Sequence, residues 1–527
     1  MFGSEPLLTE AVQLHQQGQL TEAGHLYESV LAIDPHNSDA LHLLGLIALQ
    51  TQNFQSAVAL MGQAIAQSPD NALFYCNRGV AFKNLGQFHA AIESYDHAIR
   101  LKPDYAEAYN NRGISQKELQ LYADALVSFA QAIHYLPHFA EAYSNSGIVL
   151  HRLGEHKSAM DCFQTAITLQ PGLGQAYGYR GAVFKDQHLF EDALNDFAQA
   201  IALNPLDAEA HSQQSSTFLM LGEFQKGWAL YDWRWKNPNF KPDKIRPPKP
   251  EWTPGAKQRV LLWAEQGVGD EIMFGTLLSD FKGHCTELLV EVDKRLLPLY
   301  RRSMPEGFTF VPRHSVVPEQ DYDSQISMAS LCRYLRQDEA QFLQARKAYL
   351  KNDAQRTQGI RDELALAPDR LICGISWYSQ NADIGAAKSI QLHELIRHLD
   401  LPDCQWVNLQ YGDMSEHIAQ VKTDLGVDIV QCHSVDNRKD IDGLASLIDV
   451  CDVVISISNT TVHLAGAIGK KVHVMLPFCA DWRWQHNRGD SIWYPDVQLH
   501  RQPTPGDWRS VFAQVRAALI THHESLS

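Results

Sequence analysis

Residues 70 to 103 read DNALFYCNRGVAFKNLGQFHAAIESYDHAIRLKP, and the spacing of small, aromatic and proline residues in this stretch returns on both sides of it. Prolines stand at 35, 69, 103, 137, 171 and 205, each 34 residues after the last. Glycines at 45, 79, 113, 147 and 181 keep the same step, as do alanines at 57, 91, 125, 159 and 193 and at 64, 98, 132, 166 and 200. A register held this long predicts a helix pair repeated every 34 residues. Proline closes the second helix because it lacks an N–H and clashes with the preceding turn. Glycine and alanine let the helix axes approach, and Tyr75, Tyr109, Tyr143 and Tyr177 fill the gap between units.

A second ladder, Asn77, Asn111 and Asn145, falls near the middle of successive first helices, where asparagine competes for backbone bonds. A solvated helix face accounts for it. So does a row of amides along a concave groove, set to hydrogen-bond an extended peptide. The aromatic, the small residue where helices cross and the closing proline resemble the tetratricopeptide repeat, whose superhelical arrays commonly bind peptide segments. The array is assigned to residues 1–236. Its last unit, AEAHSQQSSTFLMLGEFQKGWALYDWRWKNPNF, has Ser215 where glycine recurs and Gly227 where alanine does, and reads as a cap onto the next domain. Residues 237–256, with six prolines between Asn237 and Pro254, read as a semi-extended linker.

A chain of 527 residues is too long for one core. Its net charge of −16 argues against nucleic-acid binding, which needs concentrated positive charge, so any anionic ligand must be held locally. Nine cysteines never fall as C-x-x-C, which suits reduced thiols. No apolar run approaches the ~20 residues of a spanning helix, and the amino terminus lacks a basic, apolar leader pattern, so a cytoplasmic protein is expected.

From Lys257 short apolar strands alternate with helical stretches, the pattern of parallel sheets with helices on both faces. Strands are read at 259–265, 287–292 and 308–312, then at 371–377, 405–409, 427–431, 453–458 and 472–476. Two Rossmann-like halves follow, 257–346 and 369–527, joined by a connection over 347–368 and closed by an amphipathic helix that Asp507 can cap. Open α/β sheets place ligands at the carboxyl ends of their strands, so chemistry is sought in the cleft there.

The first strand runs into EQGVGDEIMF, residues 265–274, with Gly267 and Gly269 permitting a tight turn and Asp270 and Glu271 on the first helical turn. The third glycine of a dinucleotide fingerprint is missing. Carboxylates here also suit the helix dipole without any catalysis. In VVISISNTTVHLAGAIGKKVHVMLPF, residues 453–478, a strand ends at Ser458 and Asn459, Thr460 and Thr461 begin a helix whose amides and hydroxyls can hold a diphosphate. His463, one turn in, can donate to a phosphate oxygen or simply pack beneath Leu464. Arg483, within PFCADWRWQHNRGDSIWYPDVQLHRQ, offers a phosphate fork, while the aromatics around it are expected to pack on the linker and tail. The nearest approach to a D-x-D metal motif is Asp321-Tyr322-Asp323, and no metal site is expected.

A strand, then G-x-G-D and an apolar helix, resembles the opening of the heptosyltransferase-like (family 9) glycosyltransferases, which have the two-Rossmann GT-B fold. The resemblance implies that Asp270 is the base for an acceptor hydroxyl and that Ser458 to His463 form the donor site. The family more often carries aspartate where Ser458 stands. In GISWYSQNADIGAAKSI the resemblance places Ser376, Ser379 and Lys388 after a strand, with Lys388 near the donor phosphates. It further implies metal-independent, inverting transfer with no cofactor, the nucleotide-sugar being a co-substrate. The whole architecture resembles O-linked N-acetylglucosamine transferases and bacterial flagellin glycosyltransferases. The expected fold is thus multidomain, an all-α repeat superhelix followed by an α/β GT-B module. The expected function is transfer of a sugar to a Ser/Thr hydroxyl of a protein acceptor, flagellin-like among the candidates, held by the repeats, with a homo-oligomer as a further candidate. Two rivals share the sequence features: a transferase acting on a glycan such as lipopolysaccharide core with the repeats as docking module, and a scaffold whose transferase-like half is inactive.

Overall fold

The computed structural model describes residues 4–237, 240, 247–255, 257–304, 306–367, 369–380, 385–401 and 403–526. The chain divides into two compact units, Met1–Asp207 and Ala208–Ser527.

The first unit consists of helix pairs in strict register. Its first helices begin at Ser4, Ser38, Ala72, Ala106, Ala140 and Gly174, and its second helices at Leu20, Phe54, Phe88, Tyr122, His156 and Phe190. The recurring glycine is explained by what it faces. A Cβ at Gly79, Gly113, Gly147 or Gly181 would lie 2.5 to 2.8 Å from the ring of Tyr95, Phe129, Phe163 or Phe197 in the paired helix. Those rings are fully buried, so each of these four repeats trades a side chain on one helix for an aromatic on the other, while Gly45 faces Met61.

The turn between paired helices also repeats, and its second residue always has positive φ. Glycine meets this at 18, 86 and 154 (φ 73° to 78°), but Gln52, Gln120 and His188 are held near φ 60°. A side chain there costs roughly 1–2 kcal/mol, partly offset in glycine by a more disordered unfolded chain. Gln120→Gly is therefore expected to raise the stability of the array by about 0.5–1 kcal/mol, seen as a higher urea midpoint at unchanged slope. A lower midpoint would show that the glutamine side chain contributes more than its backbone strain costs.

A further pair, Ala208–Met220 and Phe224–Tyr231, keeps the 34-residue register but belongs to the second unit. Its packing is inverted. Ser215 replaces the glycine and donates to the Gly227 carbonyl at 2.8 Å, while a Cβ on Gly227 would strike Leu219 at 2.5 Å. The capping role expected of this unit is thus carried by helices fused to the α/β part. Trp228 donates to the Arg336 carbonyl at 2.7 Å, and the Met220 carbonyl accepts from the His486 amide at 2.8 Å.

The rest of the second unit holds two parallel sheets. In the first, β1 (Arg259–Trp263), β2 (Glu287–Val292), β3 (Thr309–Pro312) and β4 (Ser324–Ser327) lie in the order β3-β2-β1-β4. In the second, β5 (Leu371–Ser376), β6 (Cys404–Asn408), β7 (Ile429–Val430), β8 (Val453–Ile457), β9 (Lys471–Leu476) and β10 (Val497–Arg501) lie in the order β10-β9-β8-β5-β6-β7. Strand order reverses between β1 and β4 and between β5 and β8, and such switch points open a crevice at the carboxyl ends.

Two strands went unread in the sequence. β4 is SQIS, wholly buried although three of its four residues are polar. The Asp321–Asp323 stretch leads into it, and Asp323 pairs with Arg259 at 2.7 Å. β10, VQLHR, lies at the sheet edge and carries His500, which meets His473 at 3.0 Å. The linker also differs from expectation at its end. Glu251 bridges in parallel to Gln325, and Trp252 is buried against Phe281 and Tyr334, so this stretch extends the first sheet. Residues 238–239, 241–246 and 256 of the predicted linker lie outside the described residues. The connection forms the helix Ala354–Leu364. The closing helix, Trp508–Leu526, has Ser510 N–H bonded to Asp507 at 3.1 Å and buries Val511, Phe512, Val515 and Leu519. No helix among the described residues is long and apolar enough to cross a membrane.

Candidate functional site

A cleft of about 600 Å³ opens at the carboxyl ends of both sheets. All the donor-site and catalytic residues read from the sequence line it. Gly267, Gly269 and Asp270 come from the loop and helix after β1; Ser379 and Lys388 follow β5; Ser458, Asn459, Thr460, Thr461 and His463 follow β8; Arg483 follows β9.

Two helices aim their amino termini into this space, Val268–Gly275 and Thr460–Ala467. They meet at Gly269, where a Cβ would stand 3.3 Å from the His463 ring and 3.4 Å from the Thr460 hydroxyl. Gly269 thus serves close approach, and neither glycine has the positive φ of the tight turn expected of them. Gly267 is extended (φ −68°, ψ 167°) and has nothing within 4 Å of a Cβ, so a side chain there would project into open space. The two carboxylates also part company. Asp270 faces the cleft, whereas Glu271 is buried, accepting from the Asp293 amide and from Arg313, both at 2.5 Å.

Asn459 does more than cap its helix. Its Oδ1 accepts from the Thr461 amide at 3.0 Å and the Ser456 hydroxyl at 3.1 Å, and its Nδ2 donates to Ser376 at 2.8 Å, tying β8 to β5 at the switch point. Gln410 completes the tie: its carbonyl oxygen accepts from the Ser376 hydroxyl at 3.0 Å and from the amides of Trp377 and Tyr378, each at 2.9 Å. Ser379 and Lys388 flank residues 381–384, which lie outside the described residues. A Cβ on Gly385 would sit 2.5 Å from the Ser379 carbonyl, so glycine permits this close approach of the two residues.

His463 is held on two sides. Its ring stacks on Trp484 at 5.4 Å, its Nδ1 lies 3.2 Å from the Tyr494 hydroxyl, and Trp484 in turn donates to Ser458 at 2.8 Å. Burial, with Arg483 and Lys388 nearby, drives its pKa down to about 3. The imidazole is therefore neutral at pH 7. The aromatics after β9 pack on this histidine and on the last helix pair, with Trp482 edge-on to Trp228 and Tyr231, rather than on the linker and tail.

Opposite charges face one another across the cleft. Arg483 donates through Nε and an Nη to Asp270 at 2.8 and 2.5 Å, and through its other Nη to Asp481 at 2.7 Å. Burial alone would lower the pKa of Arg483, but these two carboxylates hold it protonated. For Lys388 burial wins and its pKa falls, against the pull of Asp481. Arg295, Asn437, Arg438 and Tyr411 also line the space and were not singled out in the sequence. Their common signal is position: each lies in a loop beyond a strand's carboxyl end. Among the described residues no group of three His, Cys, Asp or Glu side chains is placed to hold a metal ion.

The asparagine ladder is engaged within the array. Asn77 meets His42 at 2.8 Å, Asn111 accepts from Lys83 at 3.0 Å, and Asn145 donates to Asn110 at 3.0 Å. Each bond reaches the preceding repeat, so the amides fasten neighbouring units and present only their remaining capacity to a ligand.

Comparison with known proteins agrees with the helical half. Tetratricopeptide repeat models match residues 14–75, 112–173 and 180–232, and a TPR repeat model matches 82–120; these helix pairs are tetratricopeptide repeats. Protein FlbA of Caulobacter vibrioides is 30% identical over 329 residues, covering 58% of this chain and 54% of that protein. The chain thus spans about half the length of this curated relative. The match is also longer than the helical array, so it takes in part of the α/β unit. Among solved structures, MamA is 24% identical with a TM-score of 0.29, covering 32% of this chain and 97% of its own. A tetratricopeptide repeat protein from Parabacteroides merdae is 19% identical with a TM-score of 0.39, covering 44% and 91%.

The buried histidines set a pH dependence. His463 and His473 both titrate near 3 in the fold, against about 6.5 in an unfolded chain, so between these values only the unfolded state takes up protons. Their contribution is complete above about pH 6.5 and is lost as pH falls toward 3. Thermal melts at pH 7.5 and 5.0 are expected to show a drop in Tm that is smaller in His463→Gln than in the wild type. An equal drop in both proteins would mean that His463 is accessible to protons in the fold.

Proposed function

We propose that the α/β unit is a glycosyltransferase of the GT-B type that moves a sugar from a nucleotide-sugar to a hydroxyl of a protein acceptor bound by the repeats. The observation that carries this reading is the convergence, in one cleft between two parallel sheets, of a carboxylate from one half and a helix start with cations from the other. Arg295, Lys388, Arg438 and Arg483 outnumber Asp270 and Asp481 there, although the chain as a whole has a net charge of −16. A local positive field in an acidic protein suits a small anionic ligand rather than a nucleic acid.

In this reading the donor diphosphate lies on the start of helix Thr460–Ala467, where backbone N–H groups point outward and Lys388 and Arg483 reach it. With His463 Nδ1 accepting from the Tyr494 hydroxyl, Nε2 carries the proton and donates to an oxygen of the leaving diphosphate. Asp270 takes the proton of the acceptor hydroxyl as its oxygen bonds to the anomeric carbon and the carbon–oxygen bond to the diphosphate breaks. A single displacement of this kind inverts the configuration. The charge that develops on the leaving group is met by groups already in place, which makes positioning and electrostatics the main source of rate. Nothing in the sequence of steps calls on a group the chain does not supply, other than the two substrates. The repeats supply the protein-docking surface, and the reaction is assigned to the cytoplasm.

Asp270→Asn is expected to lower transfer of a radiolabelled sugar by roughly 10²–10⁴-fold while leaving Tm within a few degrees of wild type. Full turnover by this variant would remove Asp270 from the chemistry. Transfer to a saccharide that survived deletion of residues 1–207 would assign a glycan acceptor instead and leave the repeats a docking role.

A further inference from the structure

Arg483 faces two demands that cannot both be met in full. Its Nε edge is spent on one oxygen of Asp270, and its remaining Nη on Asp481. With Lys388 on the same wall, the group consists of two cations and two carboxylates and has no net charge. A diphosphate adds at least two negative charges to it. The planar fork of arginine satisfies a carboxylate or a phosphate along a given edge, not both. One carboxylate must therefore give way.

The two are not equally placed to do so. Asp481 lies two residues from Arg483 and also accepts from its backbone amide at 3.0 Å, so its bond is fixed by the local chain. Asp270 reaches Arg483 from the other half of the unit, 213 residues away in sequence, and through side-chain bonds alone. Exposure does not separate them in the same sense, 24% for Asp270 against 37% for Asp481, so it is the lack of any tie to the local backbone that singles out Asp270.

We infer that Arg483 is a shared counter-ion that sets the order of events: it holds Asp270 until a diphosphate claims its Nε edge, and the carboxylate is then released to the acceptor hydroxyl. This rests on the donor-site reading given above. Asp270 and the diphosphate thus compete for one guanidinium, and the coupling is reciprocal: whatever strengthens one contact weakens the other. The base is available to an acceptor only when a donor is in place, which makes binding ordered, donor first.

The competition has a signature that catalysis by Asp270 alone would not produce. Inorganic pyrophosphate, UDP, GDP, ADP and CDP are titrated calorimetrically into the full-length wild type, Asp270→Asn, Arg483→Gln and the double variant. Asp270→Asn is expected to bind the diphosphate probes on the order of tenfold more tightly, because a charge-assisted bond no longer has to be broken. Arg483→Gln is expected to bind them more weakly, and the gain from Asp270→Asn to vanish in that background. Unchanged or weaker affinity in Asp270→Asn, with its circular dichroism and Tm intact, would overturn the inference. A gain that persisted without Arg483 would overturn it as well, since simple removal of a repelling carboxylate would then suffice. Failure of all the probes to bind any of the four proteins would remove the donor-site reading itself, whereas binding to the wild type without the predicted gain would remove only the coupling.

Discussion

The two sheets of the second unit share one apolar core, and the geometry of the cleft depends on that sharing. Ile272, Met273 and Phe274 of the helix after β1 and Val462, Leu464 and Ala465 of the helix after β8 belong to a single buried cluster. The same cluster takes in β1, β2, β8 and β9 and reaches back to Leu219 and Trp228 in the last helix pair. Close packing of this kind resists sliding, because each displaced methylene leaves a void. The two helix starts are consequently held face to face, and Gly269 removes the side chain that would hold them apart. Burial thus fixes where the two helix starts stand, and the hydrogen bonds of Asn459 and Gln410 fix the strand ends beside them.

A buried ion pair gives the last helix pair its place in this arrangement. Arg234 donates to both oxygens of Glu265 at 3.0 and 2.7 Å, with Asp232, Ser327 and Ser330 completing its shell and the rings of Tyr231 and Trp235 on its faces. Such a pair adds little net stability when intact, but breaking it strands a charge at a cost of about 3–5 kcal/mol. Glu265 begins the EQGVGD loop that carries Asp270, and on the other side Trp482, next to Arg483, rests on Trp228 and Tyr231. Helices with repeat register therefore brace both charged walls of the cleft.

This explains why the sequence was informative in some places and silent in others. The repeats were legible because packing recurs every 34 residues and forces the same residue types into the same positions. Which ring each glycine faces was not, since that partner lies sixteen residues away on another helix. β5 and β8, buried on both faces, announce themselves as apolar runs, whereas β4 is buried polar and takes its place through hydrogen bonds such as that from Trp263 to Gln325 at 2.6 Å. The site residues were legible where a strand gives way directly to a helix, as at Asn459. Arg295 and Arg438 were not, because only the fold brings the Arg295 guanidinium to the Arg438 carbonyl, at 2.9 Å. The asparagine ladder was seen in the sequence, but the bonds it makes to preceding repeats belong to helix packing.

Charge distribution joins these levels. An acidic chain cannot attract an anion through its overall field, yet this one gathers Lys388 and Arg483 in a single cleft. Concentrated cations repel one another and lose hydration on burial, as the lowered pKa of Lys388 shows, unless carboxylates stand among them. Asp481 and Asp270 fill that role. Around Arg483 two cations and two carboxylates offset one another, and one of these ion pairs, Arg483 to Asp270, spans two halves of the unit and is made by side chains alone.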